Sequence, residues 1–116
     1  MFGGWAVVLH YRDRAKAKRS ELDVRVTRYS SQVQAIAQNI GRYPARDIEI
    51  TGLAPGTRRD RMNPGELQPG QQTDAHELPL DTPADLKNVS VRWRDARPGY
   101  QTKSLPRVPV VNKYAD

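Results

Sequence analysis

From Trp5 to Ile40 the chain contains no glycine and no proline, although it has eight of the first and nine of the second. Gly3-Gly4 stand just before this stretch, and Gly41 and Pro44 just after it. These two residue types are the strongest local breakers of regular structure. The chain therefore reads as one uninterrupted segment followed by a frequently broken remainder.

The second half of the segment is patterned. Leu22, Val26, Tyr29, Val33, Ile36 and Ile40 follow one another at steps of 4, 3, 4, 3 and 4. A 3.5-residue repeat is the seam of a helix that packs along a partner. Val26, Val33 and Ile40 take the a positions of a heptad, and Leu22, Tyr29 and Ile36 the d positions. Asp13 to Glu21 are good helix formers, and Gly41 falls where a left-handed C-terminal cap is cheapest. The pattern predicts a long helix over about 12–40 with its seam over 22–40, as in a coiled coil or a helix lying in another protein's groove. Arg12 and Arg19 occupy the upstream a positions, so the seam is shorter than the three or four heptads a coiled coil usually shows.

A second reading competes with it. Leu22, Val24 and Val26 alternate with Asp23, Arg25 and Thr27, which is a strand pattern. Ser31 then becomes an N-cap with Gln34 as its capping-box partner. That gives a strand over 22–28 and a short helix over 31–40 in a small ββαββ domain. Val24 separates the two, since it is wasted on the outer face of a helix and well used in a strand.

After Gly41 short strands are expected at about 47–52, where Ile48 and Ile50 alternate with acids, and at 88–95, where Val89, Val91 and Trp93 alternate with Ser90, Arg92 and Arg94. Between them, 54–86 reads as a long irregular loop, with turns at Asn63-Pro64-Gly65 and Pro69-Gly70. From 96 to 116 the chain is basic and proline-spaced, an extended arm with Leu105, Val108, Val110 and Val111 as anchors. Pro106 and Pro109 make a P-x-x-P spacing that matches by chance too often to carry weight. The expected class is α+β with low regular content. Its parts are a helical assembly segment over 1–41, a small β element over 42–95 and an extended arm over 96–116.

Composition bears on partners. Apolar residues make up 37% of the chain and there is one Phe, which predicts a thin core and order gained from a neighbour. Nineteen basic residues against thirteen acidic give a formal charge of +6, favouring acidic partners. Arg12, Arg14, Lys16, Lys18 and Arg19, then Arg58, Arg59 and Arg61, then Arg92 and Arg94 are the candidate contacts to an anionic partner. The apolar start around Trp5 is far shorter than the roughly 20 residues a membrane span needs. Membrane contact there is not the favoured reading.

The search for chemistry is nearly empty. His10 and His76 stand far apart, there is no cysteine, and no phosphate-binding loop or metal-ligand spacing occurs. The acids at Asp74, Glu77, Asp81 and Asp85 lack the spacing and turn glycine of a calcium loop. No catalytic residue, metal or cofactor is expected. The sequence favours a non-enzymatic structural or interaction subunit of a larger multi-protein assembly, a virion or secretion machine being typical settings. Its partners would be other subunits, possibly copies of itself. The alternative is a basic protein that contacts nucleic-acid phosphates. Single-strand binding asks for exposed aromatics among the basic residues, and Trp93 is expected to point inward.

Overall fold

A computed structural model of the chain describes residues 19–113. Seven strands form: β1 Leu22–Arg28, β2 Val33–Asn39, β3 Ala45–Thr51, β4 Met62–Leu67, β5 His76–Leu78, β6 Asp85–Arg94 and β7 Gln101–Asn112. They make one sheet in the order β4-β3-β6-β7-β1-β2-β5. Every pairing is antiparallel except β1 with β7. There is no helix among the described residues, so the class is all-β and not α+β.

The long helix over 12–40 is overturned where it can be checked, and its first residues, 12–18, lie outside the described part. Residues 22–39 form an antiparallel hairpin, with Leu22 opposite Asn39 and Arg28 opposite Val33. The coiled coil falls with the helix. The competing reading has its strand at 22–28, but its helix over 31–40 is also replaced, by β2. Ser30 and Ser31 lie in the turn, where Tyr29 N donates to Gln32 O at 2.7 Å. The cause is side-chain parity. Strand side chains alternate between faces. Leu22, Val24 and Val26 are buried in β1, and Val33, Ala35, Ala37 and Asn39 in β2. The turn exchanges even for odd numbers, and this change of phase mimics a 3.5-residue step. Tyr29 and Ile40, two members of the supposed seam, are exposed, and Ile36 is half-buried on the other face.

Gly41 is not a helix cap. A Cβ on it would stand 2.5 Å from the Glu21 backbone nitrogen and 2.6 Å from the Ser20 Cα. It is glycine because the chain leaving β2 crosses against the chain entering β1. The irregular loop over 54–86 contains β4 and β5. Pro64 and Gly65 sit within β4, an edge strand, where a missing N–H is tolerated.

The sheet curls into a nearly closed barrel. Beyond β4 the chain returns along β2: Gly70 N donates to Asn39 O at 2.7 Å, Asn39 N to Gln71 O at 3.0 Å, and Thr73 N to Ala37 O at 2.8 Å. Asn39 is fully buried at this junction. Its Nδ2 donates to Tyr43 O at 2.8 Å and Leu67 O at 3.0 Å, and its Oδ1 accepts from Gly41 N at 3.0 Å.

The core is one apolar cluster drawn from all seven strands, with Leu22, Ile50, Leu53, Val26 and Val33 among its most enclosed members. Each such side chain contributes about 1.5–3 kcal/mol through burial. Alanine and valine supply much of the cluster, which is how a chain with few large apolar residues closes a small barrel. The hairpin of β6 and β7 spans the structure. Its inward residues are Val89, Val91 and Trp93 at one end and Leu86 at the other. That alternation slips by one residue at Asn88, whose φ is +63°. Leu105 and Val108 on β7 slip likewise across Pro106. The slip lets one hairpin pair with β3 at one end and with β1 at the other.

Candidate anion-binding interface

Register builds the most distinctive surface. Arg46 on β3 lies opposite Arg94 on β6, and Glu49 opposite Arg92. Thr51 lies opposite Ser90, which is itself opposite Ser104 on β7. Arg92 lies opposite Thr102. The inward residues Val91 and Trp93 are buried, so Ser90, Arg92 and Arg94 share the outer face. They are exposed, as are Arg46, Tyr100, Thr102 and Ser104. The face thus carries three guanidinium groups beside a row of hydroxyls.

Tyr100 organises the cations. The guanidinium carbons of Arg92 and Arg94 each lie 4.4 Å from its ring centroid. That is within the range of a cation–π contact. Arg92 also meets Glu49 at 3.2 Å. No ion pair to Arg46 or Arg94 occurs among the described residues. Like charges directly opposite on neighbouring strands are destabilising. The pair Arg46 and Arg94 therefore costs the free protein stability and presents unspent positive charge.

A buried carboxylate holds the turn that presents Tyr100. Asp95 follows β6 and is 4% exposed. It accepts from Ser20 N at 3.1 Å and Ser20 Oγ at 2.9 Å. From Arg97 it accepts the backbone N at 2.9 Å and Nη2 at 2.6 Å. Burial alone would push the Asp95 pKa up, but the hydrogen bonds from Arg97 and Ser20 outweigh it and hold the carboxyl well below the usual range. The Asp95 contact in turn raises Arg97, against the opposing effect of burial. This cluster ties the start of β1 to the β6–β7 turn.

No protein-family model, curated protein or solved structure matches this chain.

The other candidate residues fall elsewhere. Arg58, Arg59 and Arg61 are exposed between β3 and β4, at the far end of β3 from Arg46. At about 3.3 Å per residue the length of β3 alone separates them by roughly 20 Å. Arg19 is exposed, while Arg12, Arg14, Lys16 and Lys18 lie outside the described residues, as do His10 and Trp5. The anchors of the expected arm belong to β7, where Val108 and Val110 are buried, Leu105 packs against the core and Val111 is exposed. Arm and β element are joined in the same sheet.

Clefts open on the surface of the described residues, and three stand out. One of about 430 Å³ lies between β4 and residues 71–76, with Arg61, Glu66, Asp74 and His76 in its wall. The His76 Nε2 is engaged by the Arg59 carbonyl at 2.8 Å. A second, of about 500 Å³, is lined by Leu53, Pro55, Pro79, Pro83 and Leu86. The third, of about 230 Å³, lies beside Trp93, Arg97 and Lys103. Among the described residues no three His, Cys, Asp or Glu side chains gather around a metal-sized space.

Sequence reasoning singled out Arg92 and Arg94 as candidate contacts but not Arg46, Tyr100 or Asp95, which the fold places beside them. Tyr100 looked like part of an arm because Pro98-Gly99 precedes it. The available signal was the hairpin itself, a strand ending at Asp95 followed by Arg97-Pro98-Gly99 and then a second alternating run, Gln101 to Leu105.

Proposed function

We propose that this protein is a non-enzymatic binding subunit that docks onto an anionic partner within a larger assembly, through the outer face of β3, β6 and the start of β7. The observation that carries the reading is the in-register pair Arg46 and Arg94 beside the Arg92–Tyr100 contact. A fold does not retain clustered like charge for its own stability, and a bound anion turns that repulsion into attraction. The hydroxyls of Ser90, Thr102 and Ser104 on the same face supply further donors to an oxyanion.

The core is complete without a partner, so the demand for one comes from the surface. Retention of the full chain on an immobilised polyanion, measured against salt, tests the reading. Binding should weaken steeply as salt rises, and the double substitution Arg92→Ala with Arg94→Ala should lower the log–log salt slope by about 2. Retention that ignores both salt and the two substitutions would remove this face as the docking site.

A contact with protein neighbours is favoured by another surface. Tyr29, Leu80 and Val111 are exposed large apolar side chains. Arg28, next to Tyr29, donates to Leu80 O at 2.9 Å, and Val111 pairs with Thr27. They gather at the end of the barrel where β1 and β7 run parallel. A second copy of the chain is the occupant to test first. Sedimentation of the wild type should show self-association that Leu80→Asp abolishes, and a concentration-independent monomer would remove that contact.

A further inference from the structure

We infer that the partner of the Arg46–Arg92–Arg94–Tyr100 face is a single-stranded nucleic acid. This inference rests on the anion-docking reading above and names the class of anion. Three features separate it from an acidic peptide or a lipid surface.

The first is planarity. Both guanidinium carbons sit 4.4 Å from the centroid of one phenol ring. Arginine is planar and delocalised, so it offers a flat face as well as hydrogen-bonding edges. Unstacked bases pack on aromatic rings and on guanidinium planes. A carboxylate uses only the edges, and an acidic peptide gains nothing from the ring. Tyr100 is 42% exposed, so the group remains open to a ligand.

The second is the row of hydroxyls. Ser90 and Ser104 lie in register, with Thr51 beside Ser90 and Thr102 beside Arg92. Short hydroxyl side chains next to arginine are suited to phosphate and sugar oxygens. An exposed sheet surface with aromatic and basic side chains gives a single strand room to lie across it with its bases splayed. It inserts nothing into the groove of a duplex.

The third is the lack of an apolar insert. The outer residues of this face are Arg46, Asp47, Glu49, Thr51, Ser90, Arg92, Arg94, Thr102 and Ser104, and none is aliphatic. Interfacial membrane binding relies on an apolar face as well as basic charge. Asp47, in the bulge beside Arg46, and Glu49 are the acids on this face, and the Glu49 carboxylate already engages Arg92 at 3.2 Å. It acts as an internal competitor that a polyphosphate must displace.

The test is a fluorescence-anisotropy titration of the full chain at low salt against four probes. These are a mixed-sequence single-stranded DNA, the RNA of the same sequence, the corresponding duplex and polyglutamate of matched charge. The single strands should bind about tenfold more tightly than the duplex or polyglutamate, the gain from one stacked base. Tyr100→Leu should lower single-strand affinity about tenfold and polyglutamate affinity by much less, since only the bases lose a stacking surface. Tyr100→Phe should retain both, since the ring is kept. Glu49→Gln should tighten every polyanion. Tyr100 and Glu49 are not buried, and a thermal melt checks that each variant folds. Equal affinity for all four probes, or a Tyr100→Leu effect of the same size on polyglutamate, overturns the nucleic-acid inference and leaves anion docking standing. No binding to any probe overturns both.

Discussion

Replacing Asp95 by asparagine changes one charge and one atom at the point that holds the β6–β7 turn. The carboxylate now satisfies Ser20 N, Ser20 Oγ and three nitrogens of Arg97. In the variant one oxygen becomes an N–H₂ donor facing other donors. Breaking a buried ion pair by neutralising one member costs about 3–5 kcal/mol. The Arg97 side chain is 32% exposed, so water recovers part of that, and the expected loss is about 2–3 kcal/mol. Urea unfolding followed by Trp fluorescence near neutral pH measures it.

The pH dependence supplies a second check. The folded-state pKa of Asp95 is depressed, so its contribution is present above the unfolded-state value of about 3.9 and is lost as pH falls through the folded value. The gap between wild type and Asp95→Asn should therefore be constant from about pH 7 to pH 5 and shrink steadily below about pH 4. Polyanion binding should weaken in the variant too, because Tyr100 loses the turn that positions it. A stability loss under about 0.5 kcal/mol, or a gap that does not narrow in acid, would refute the argument that this carboxylate is ionised and holds the turn.

Two further substitutions probe the barrel junction. Asn39→Leu strands the Tyr43 and Leu67 carbonyls and the Gly41 N–H without their buried partner, and should cost about 3 kcal/mol in chemical denaturation. A near-neutral result would mean that β2 and β4 are not tied through this side chain. Gly41→Ala pushes a methyl into the Ser20–Glu21 backbone and should cost about 1–3 kcal/mol. A thermal melt unchanged from wild type would show that this crossing is looser than described.

Particular residues show where sequence reasoning held and where it failed. In the stretch Lys87 to Arg94 every second side chain from Val89 to Trp93 is apolar, and that local alternation is enough to place the arginines outside and Trp93 inside. Val24 carried the same message in β1, but the longer 4-3-4-3-4 spacing outweighed it. That spacing arose because Leu22 and Val26 belong to one strand and Val33 to the next, with the turn shifting the count between them. The spacing of those six residues alone does not distinguish that shift from a helical step, since the two strands meet only after folding. Asn39 is completely buried while its apolar neighbour Ile40 is exposed, the reverse of what their side chains alone suggest. Its role depends on Leu67 and Tyr43, which approach it from other elements.

By itself the sequence determined which side chains dislike water and the sign of its charge, because those are properties of residues and their immediate neighbours. Only the tertiary structure decided that Arg46 stands beside Arg94, that Tyr100 lies against two arginines, and that a chain with few large apolar residues encloses a core. Those outcomes depend on strand register and order, which are set by the sum of contacts between segments far apart in the chain.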